Sequence, residues 1–164
     1  DTSNFGLFIQ DRVGQYGKIF KIVKIRTMKL VPGISTNITI KNDKRITKVG
    51  KIFRHWKLDE LPTIFNVFIG DMSFVGPRPD VPGYADKLIN DERKILNLKP
   101  GITGPATLKY ANEESLLYNK KDYINFNDEI IFPDKVSINL EYLDNWSLWV
   151  DIKIIFKTIF RSNY

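Results

Sequence analysis

The chain contains no cysteine and one histidine, His55. Without cysteine there are no disulfides, thiolate metal sites or cysteine nucleophiles, which suits a reducing compartment. A single histidine also excludes a multi-histidine zinc centre. Long apolar runs are missing as well. A spanning helix needs about 18 or more apolar residues, whereas charges recur throughout and "LPTIFNVFIG" stops after ten residues. No secretory signal pattern, internal repeat or low-complexity tract is visible. The first residue is Asp1, not Met, and strand-like sequence follows almost at once. The chain is therefore read as a piece whose natural N-terminus has been removed.

What is present fits a folded protein. Apolar residues make up 43%, aromatics 13% and charged residues 27% of 164 residues, unlike a disordered tail. A chain of that length buries about two-thirds of its unfolded surface, and one domain over residues 1–164 is expected. Lys and Arg exceed Asp and Glu by 25 to 19, giving a net charge of +6. That favours an anionic partner such as phosphate, nucleic acid or an acidic membrane, and charge alone does not choose among them.

The fold class read from the pattern is α+β: a small N-terminal β-hairpin packed with several helices, including amphipathic surface helices near the C-terminus. "GLFIQDRV" and "KIFKIVKI" are β-prone runs around the turn signal "VGQYG", which predicts a hairpin over about residues 6–27. Residues 31–50 mix Pro, Gly, Asn, Ser and Thr with lysines and Arg45, and read as a mobile polar loop with a short strand at most. From Glu60 to Ile69, Leu61, Ile64, Phe65, Val67 and Phe68 recur at helical spacing, and Pro62 is tolerable in a first turn. "GDMSFVGPRPDVPG" must be extended or turning, residues 82–97 look helical, and "LKPGITGP" breaks that helix. Residues 112–145 read as helix, loop and a further helix beginning at Pro133 or Asp134.

In the last segment, Leu148, Trp149, Ile152, Ile155, Phe156, Ile159 and Phe160 share one helical face. Lys153, Lys157 and Arg161 line another edge, and Trp146, Val150 and Ile154 fall outside the stripe. Two readings stay open: a helix packing its stripe on the protein's own core, or one lying at a membrane surface with bases toward anionic lipid.

Asp59 and Glu60 open the predicted helix at residue 60. The positive end of a helix favours carboxylates, and any phosphate beside them. The plain reading is Asp59 as N-cap and Glu60 as a first-turn acid. Around them lie Arg54, His55 and Lys57, then Asp71, Arg78 and Asp80 in a loop stiffened by Pro77 and Pro79. A stiffly held Arg78 suits bidentate recognition of phosphate, or else pairs with a local acid such as Asp80. On the second strand, period two sets Lys24 and Arg26 side by side, either to receive a pyrophosphate or to face water. His55, alone, reads as structural.

Three stretches, "IQDRVGQYGKIFKIVKIRTM", "FRHWKLDELPTIFNVFIGDMSFVGPRPD" and "LKPGITG", run in order from residue 9 to residue 104. Together they resemble the bacterial sugar transferases, the monotopic polyprenol-phosphate phosphoglycosyl transferases that begin assembly of surface polysaccharides and glycoconjugates. The resemblance implies transfer of a sugar-1-phosphate from a UDP-sugar to undecaprenyl phosphate with Mg²⁺, releasing UMP, at the cytoplasmic face of the bacterial inner membrane. It makes Asp59 the nucleophile that forms a phosphosugar-aspartyl intermediate, and Glu60 its assistant by orientation, metal binding or proton transfer. Asp59 and Glu60 are the implied Mg²⁺ ligands, and Lys24, Arg26, Arg54 and Arg78 the implied phosphate binders. An anionic membrane surface is the expected partner, and nucleic acid is not. Relatives usually carry a hydrophobic re-entrant helix before the hairpin, and many continue after "KPGITG" with a Trp-Ala-Gln stretch where this chain has "PATLKYANEE". The rival reading is a basic module that binds membrane or nucleotide sugar without catalysis.

Overall fold

The computed structural model describes residues 6–32, 36 and 38–160. Strands β1 (Leu7–Val13) and β2 (Ile19–Ile25) form the expected antiparallel hairpin, with Leu7 opposite Ile25 and Val13 opposite Ile19. The connecting turn holds Tyr16 and Gly17 at positive φ, 59° and 78°. Cross-strand register sets Phe8, Gln10 and Arg12 against Lys24, Ile22 and Phe20, so these six side chains share one face of the ribbon.

The stretch read as a loop to residue 50 is corrected at its end. Helix α1 spans Lys48–His55, capped by Thr47, whose Oγ1 accepts the Gly50 N–H at 2.9 Å. Gly50 suggested a breaker, yet it is required: a Cβ there would stand 2.2 Å from the Thr27 carbonyl oxygen. An isolated antiparallel bridge, Met28 to Ile46, is the only strand pairing among the described residues of that stretch.

After α1, Lys57 takes the left-handed conformation (φ 55°) and turns the chain back toward β2. A tight 3₁₀ turn, Leu58–Thr63, carries the acid pair and Pro62, and continues into α2 (Ile64–Phe68). The expected helix is therefore present in two forms, and its cap is corrected. Lys57, not Asp59, stands at the cap position, and no side chain caps the turn. Thr63 Oγ1 donates to the Glu60 carbonyl at 2.7 Å, and Asn66 Nδ2 donates to the Lys21 carbonyl at 2.8 Å. The first bond closes the acid-bearing turn on itself, and the second ties the following helix to β2.

Within the Gly/Pro-rich stretches the chain forms two three-residue strands, β3 (Ser73–Val75) and β4 (Gly101–Thr103), paired in parallel. "GITG" was expected only to break a helix, so β4 is an addition. Contact is close there: a Cβ on Gly76 would lie 2.2 Å from the Lys99 carbonyl oxygen. Between the strands, residues 82–97 are helical only as 3₁₀ turns, Ala85–Lys87 and Asn90–Asn97, with Leu88 and Ile89 extended between them.

Helices α3 (Pro105–Lys109), α4 (Glu113–Tyr118) and α5 (Tyr123–Phe126) are short. A π turn over Asn127–Ile131 then leads into α6 (Phe132–Asp144), close to the expected start at Pro133. Helix α7 (Leu148–Ile159) closes the described chain, with Ser147 as its cap, and Arg161 lies outside the described residues.

Two apolar clusters hold these pieces together. Val13, Ala85, Leu88, Ile95, Leu96 and Val136 join the hairpin end to the 3₁₀ turns and α6. Val75, Tyr142 and Ile154 join β3 to α6 and α7, with Val150 and Ile155 alongside. This corrects the core-packing reading of α7. Ile154 and Val150, outside the stripe, face the core, while Leu148, Trp149, Phe156, Ile159 and Phe160 of the stripe are exposed. Of the stripe, Ile155 packs inward and Ile152 is half-buried.

Candidate active site

The hairpin face, the acid turn and the loop after β3 converge on a cleft of about 290 Å³, open mouth included. Arg12, Lys24, Glu60, Thr63, Arg78 and Pro79 are among its lining residues. Glu60 lies at its centre. Its Oε1 accepts from Lys24 Nζ at 2.9 Å and from Arg78 Nη2 at 2.5 Å, with a longer contact from Arg78 Nη1 to Oε2 at 3.5 Å. The side chains of Lys24 and Glu60 are only 17% and 16% exposed, whereas Arg78 is 46% exposed and so reaches both the acid and the solvent side. The alternative pairing of Arg78 with Asp80 is replaced by Glu60, eighteen residues upstream in sequence.

Burial by itself would raise the Glu60 pKa, but Arg78 and Lys24 overcome it and hold the carboxyl well below its ordinary range. The same burial, with Arg78 close by, pushes Lys24 down to about 8 against the pull of Glu60. Asp59 is buried, and its Oδ1 has no hydrogen-bond partner. Burial first, and Glu60 second, raise its pKa above the usual aspartate value, opposed by Arg54 and Lys24. The two neighbours are therefore driven apart: Glu60 is firmly ionised and doubly paired, and Asp59, with Oδ1 buried and unpartnered, is destabilised as an anion. Asp59 lies in the first turn of the 3₁₀ segment without a cap role, and its backbone hydrogen bond lowers its pKa by less than burial raises it.

The loop that carries Arg78 is fixed by backbone bonds. Gly101 N–H donates to the Pro77 carbonyl at 2.8 Å, Gly76 N–H to the Thr103 carbonyl at 2.9 Å, and Val13 N–H to the Asp80 carbonyl at 2.9 Å. Asp80 itself is pushed up to about 6 by burial, with Lys135 and Arg12 pulling the other way.

The remaining expected basic residues are placed differently. Arg54 pairs with Glu114 of α4 and still acts on Asp59 through its charge. Arg26 lies along β1, where Nη2 donates to the Leu7 carbonyl at 3.2 Å and the guanidinium stands 5.3 Å from the Phe8 ring centre. His55 is exposed, edge-on to Trp56. Arg12 was not singled out as a site residue, yet it lines the cleft. The available signal was hairpin register, which sets Arg12 on the same face as Lys24.

Mg²⁺ keeps several waters and takes one or two carboxylates plus substrate phosphates. Among the described residues no group of three or more His, Cys, Asp or Glu side chains gathers. A buried, partnerless Asp59 Oδ1 is the kind of oxygen such a cation would take. The donor set thus fits a metal carried largely by its substrate.

The family model described as "Bacterial sugar transferase" matches residues 2–163. The "Galactosyl transferase CpsE" of Streptococcus agalactiae serotype III (strain NEM316) is 38% identical over 93% of this chain and 33% of its own length. The "UDP-glucose:undecaprenyl-phosphate glucose-1-phosphate transferase" of Escherichia coli (strain K12) is 38% identical over 95% of this chain and 32% of its own. The "Uncharacterized sugar transferase EpsL" of Bacillus subtilis (strain 168) is 34% identical over 93% of this chain and 67% of its own. The chain thus spans about a third of the length of the first two relatives. With the family model covering nearly every residue, the chain belongs to the bacterial sugar transferase family.

Proposed function

We propose that the chain is the catalytic region of a phosphoglycosyl transferase that moves a sugar-1-phosphate from a UDP-sugar to undecaprenyl phosphate and releases UMP. The supporting observation is the Lys24–Glu60–Arg78 clamp beside Asp59, whose Oδ1 is buried and unpartnered. The names of relatives from Escherichia coli and Salmonella typhimurium refer to undecaprenyl-phosphate and to glucose or galactose, which makes those hexoses the first sugars to test.

In this reading an oxygen of Asp59 attacks the sugar-bearing phosphorus, the bond from that phosphorus to the bridging oxygen breaks, and UMP leaves. The phosphosugar is then held on Asp59 until an oxygen of the lipid phosphate attacks the same phosphorus. The aspartyl bond breaks, and the lipid diphosphate sugar departs. A raised pKa makes Asp59 a stronger nucleophile than a solvated carboxylate once it is ionised. Glu60 stays ionised and orients Lys24 and Arg78, whose remaining N–H donors are available for phosphate oxygens. Arg54 adds positive charge on the other side of Asp59, and Arg26 is the outermost candidate on the hairpin. Mg²⁺, held by Asp59 and Glu60, would supply neutralisation of the pyrophosphate charge.

The reading includes a monotopic membrane position at the cytoplasmic face, where UDP-sugars are expected. No helix among the described residues is long and apolar enough to cross a membrane. What supports surface contact is the exposed stripe of α7, flanked by exposed Lys153 and Lys157, and a second exposed group, Ile52, Trp56, Leu61, Phe65 and Phe68.

The test is UMP release from a panel of UDP-sugars with polyprenol phosphate, using the full-length protein in detergent. Release that vanishes in Asp59→Asn, together with ping-pong kinetics and a trapped phosphosugar on Asp59, is the expected result. Turnover without either of the last two favours direct attack by the lipid phosphate. Nucleotide-sugar binding without any turnover favours the non-catalytic module.

A further inference from the structure

Arg12 stands one residue from the end of β1, opposite Phe20, and lines the cleft with Lys24, Glu60 and Arg78. Both of its recorded donor contacts go to neutral oxygens: Nη1 to the Pro79 carbonyl at 3.2 Å and Nη2 to Gln10 Oε1 at 2.6 Å. Its Nε–H is buried without an acceptor. Burial, with Arg78 nearby, lowers its pKa to about 10. Asp80 and Glu60 favour the charge, yet keeping a guanidinium half-buried, short of one hydrogen bond and beside another cation, is costly. Something other than packing is served.

The geometry shows what that is. The next residue, Val13, donates its N–H to the Asp80 carbonyl at 2.9 Å. Two successive residues of β1 therefore grip two successive carbonyls, Pro79 and Asp80, immediately after Arg78. On the other side, Gly101 N–H grips the Pro77 carbonyl at 2.8 Å. Proline rings fix φ at positions 77 and 79, leaving ψ and the peptide planes to be set by these anchors. The two Arg12 contacts diverge, one to the loop and one to Gln10 on its own strand. A planar fork meets both, whereas a lysine ammonium is a single point.

We propose that Arg12 is a positioning residue for Arg78. By pinning the Pro79 carbonyl, it sets the direction in which the Arg78 guanidinium leaves the loop, against Glu60 and toward the donor's phosphates. The identity of that ligand rests on the transferase reading above; the pinning itself does not.

The test is a double-mutant cycle on the full-length protein in detergent, with Arg12→Gln, Arg78→Lys and the pair. A displaced catalytic group can cost about 100-fold in rate, and a fall of about 10- to 100-fold in kcat/KM is expected for Arg12→Gln. The double variant should then lie within about threefold of Arg78→Lys alone, because one residue acts through the other. Losses that multiply, as independent sites do, overturn the proposal, and so does an Arg12→Gln enzyme within about twofold of the unaltered one. If Arg12→Gln loses its cooperative melt, the same cycle runs with Arg12→Lys, which keeps the charge but not the fork. A second readout needs no turnover: the Arg78 side-chain Nε–H NMR signal, assigned by its loss in Arg78→Lys, should shift or broaden when Arg12 is replaced. An unmoved signal overturns the pinning. An unaltered protein that releases no UMP would sink the transferase reading and leave this signal to decide for Arg12.

Discussion

The cleft and the outer face of α7 both invert the usual distribution of polarity, in opposite directions. In the cleft, charged side chains are drawn inward: Glu60 is 16% exposed and lies between Lys24 and Arg78. On α7, Trp149, Phe156, Ile159 and Phe160 point outward, while the smaller Val150 and Ile154 turn to the core. The cleft inversion is largely settled within the molecule, since Glu60 meets both Lys24 and Arg78. Asp59 is the exception on the acid side, and Arg12, whose Nε–H is buried without an acceptor, on the basic side. The α7 inversion is not covered by the described residues, and the membrane contact proposed above is what would cover it. One region is thus self-sufficient except at two buried atoms, one of them where chemistry is proposed, and the other leaves most of its apolar stripe uncovered by the described residues.

The sharpest way to break the comparison is at the acid exception. Asp59→Asn keeps the size and removes the charge, so it should abolish UMP release, a loss of about 10³-fold or more for a covalent nucleophile. The melting temperature should hold or rise, because a buried, unpaired carboxylate is relieved. A variant that melts much earlier would mean that Asp59 is a structural acid.

Glu60→Gln breaks the settled part. It leaves Lys24 and Arg78 without their shared partner, and removing one member of a buried pair costs about 3 kcal/mol at the low end. Turnover should fall about 100-fold, through loss of the orientation of both cations. Stability and activity should therefore fall together here, and separate in Asp59→Asn. Thermal melts and UMP release on the same samples check this.

On α7 the two faces give opposite responses. Ile154→Ala should cost about 2–4 kcal/mol, as a buried large-to-small change, and leave vesicle binding almost unchanged. Phe156→Ala and Trp149→Ala should stay within about 0.5 kcal/mol of the parent in stability. Each should weaken binding to anionic vesicles about tenfold, since a buried large apolar side chain contributes about 1.5–3 kcal/mol. Co-sedimentation with vesicles containing acidic lipid measures it. Equal binding by all three variants would remove lipid as the missing phase.

Much of this was legible in the residues, and what was not has specific causes. The hairpin was readable because β-prone runs flank a Gly-bearing turn. The acid pair was readable as a helix start, but its geometry was not: the 3₁₀ turn after left-handed Lys57 is closed by Thr63 bonding back to Glu60, and its continuation is tied to β2 by Asn66. Arg78 offered a neighbour, Asp80, and took a distant one, because loop anchors contributed by β1 and β4 decide where it points. Gly50 hid α1 by its propensity, while its need came from a carbonyl of Thr27 far from any helical pattern. Strands β3 and β4, three residues each, are too short to show a period. The wheel of α7 separated most of the exposed stripe from Val150 and Ile154 but misplaced Ile155, and amphipathicity alone does not say which face meets the protein.

Lys24 supplies the finest test, because it touches the settled part without dismantling it. With its pKa lowered to about 8, its charge is present below that pH and lost above it. As pH rises through about 8, Glu60 keeps only Arg78 and the cleft loses a positive charge. UMP release should then decline several-fold, after an acid limb that lies above the ordinary aspartate range because Asp59 is raised. Stability moves the other way. Between about 8 and 10.5 the unfolded chain holds a proton on Lys24 that the folded chain does not, so this group makes folding more favourable as pH rises across that window. Lys24→Arg keeps the charge at all these values and should flatten both trends, with activity at pH 9 retained relative to pH 7.5. A parent enzyme whose activity is flat to pH 9.5 would overturn the link between loss of the Lys24 proton and loss of turnover.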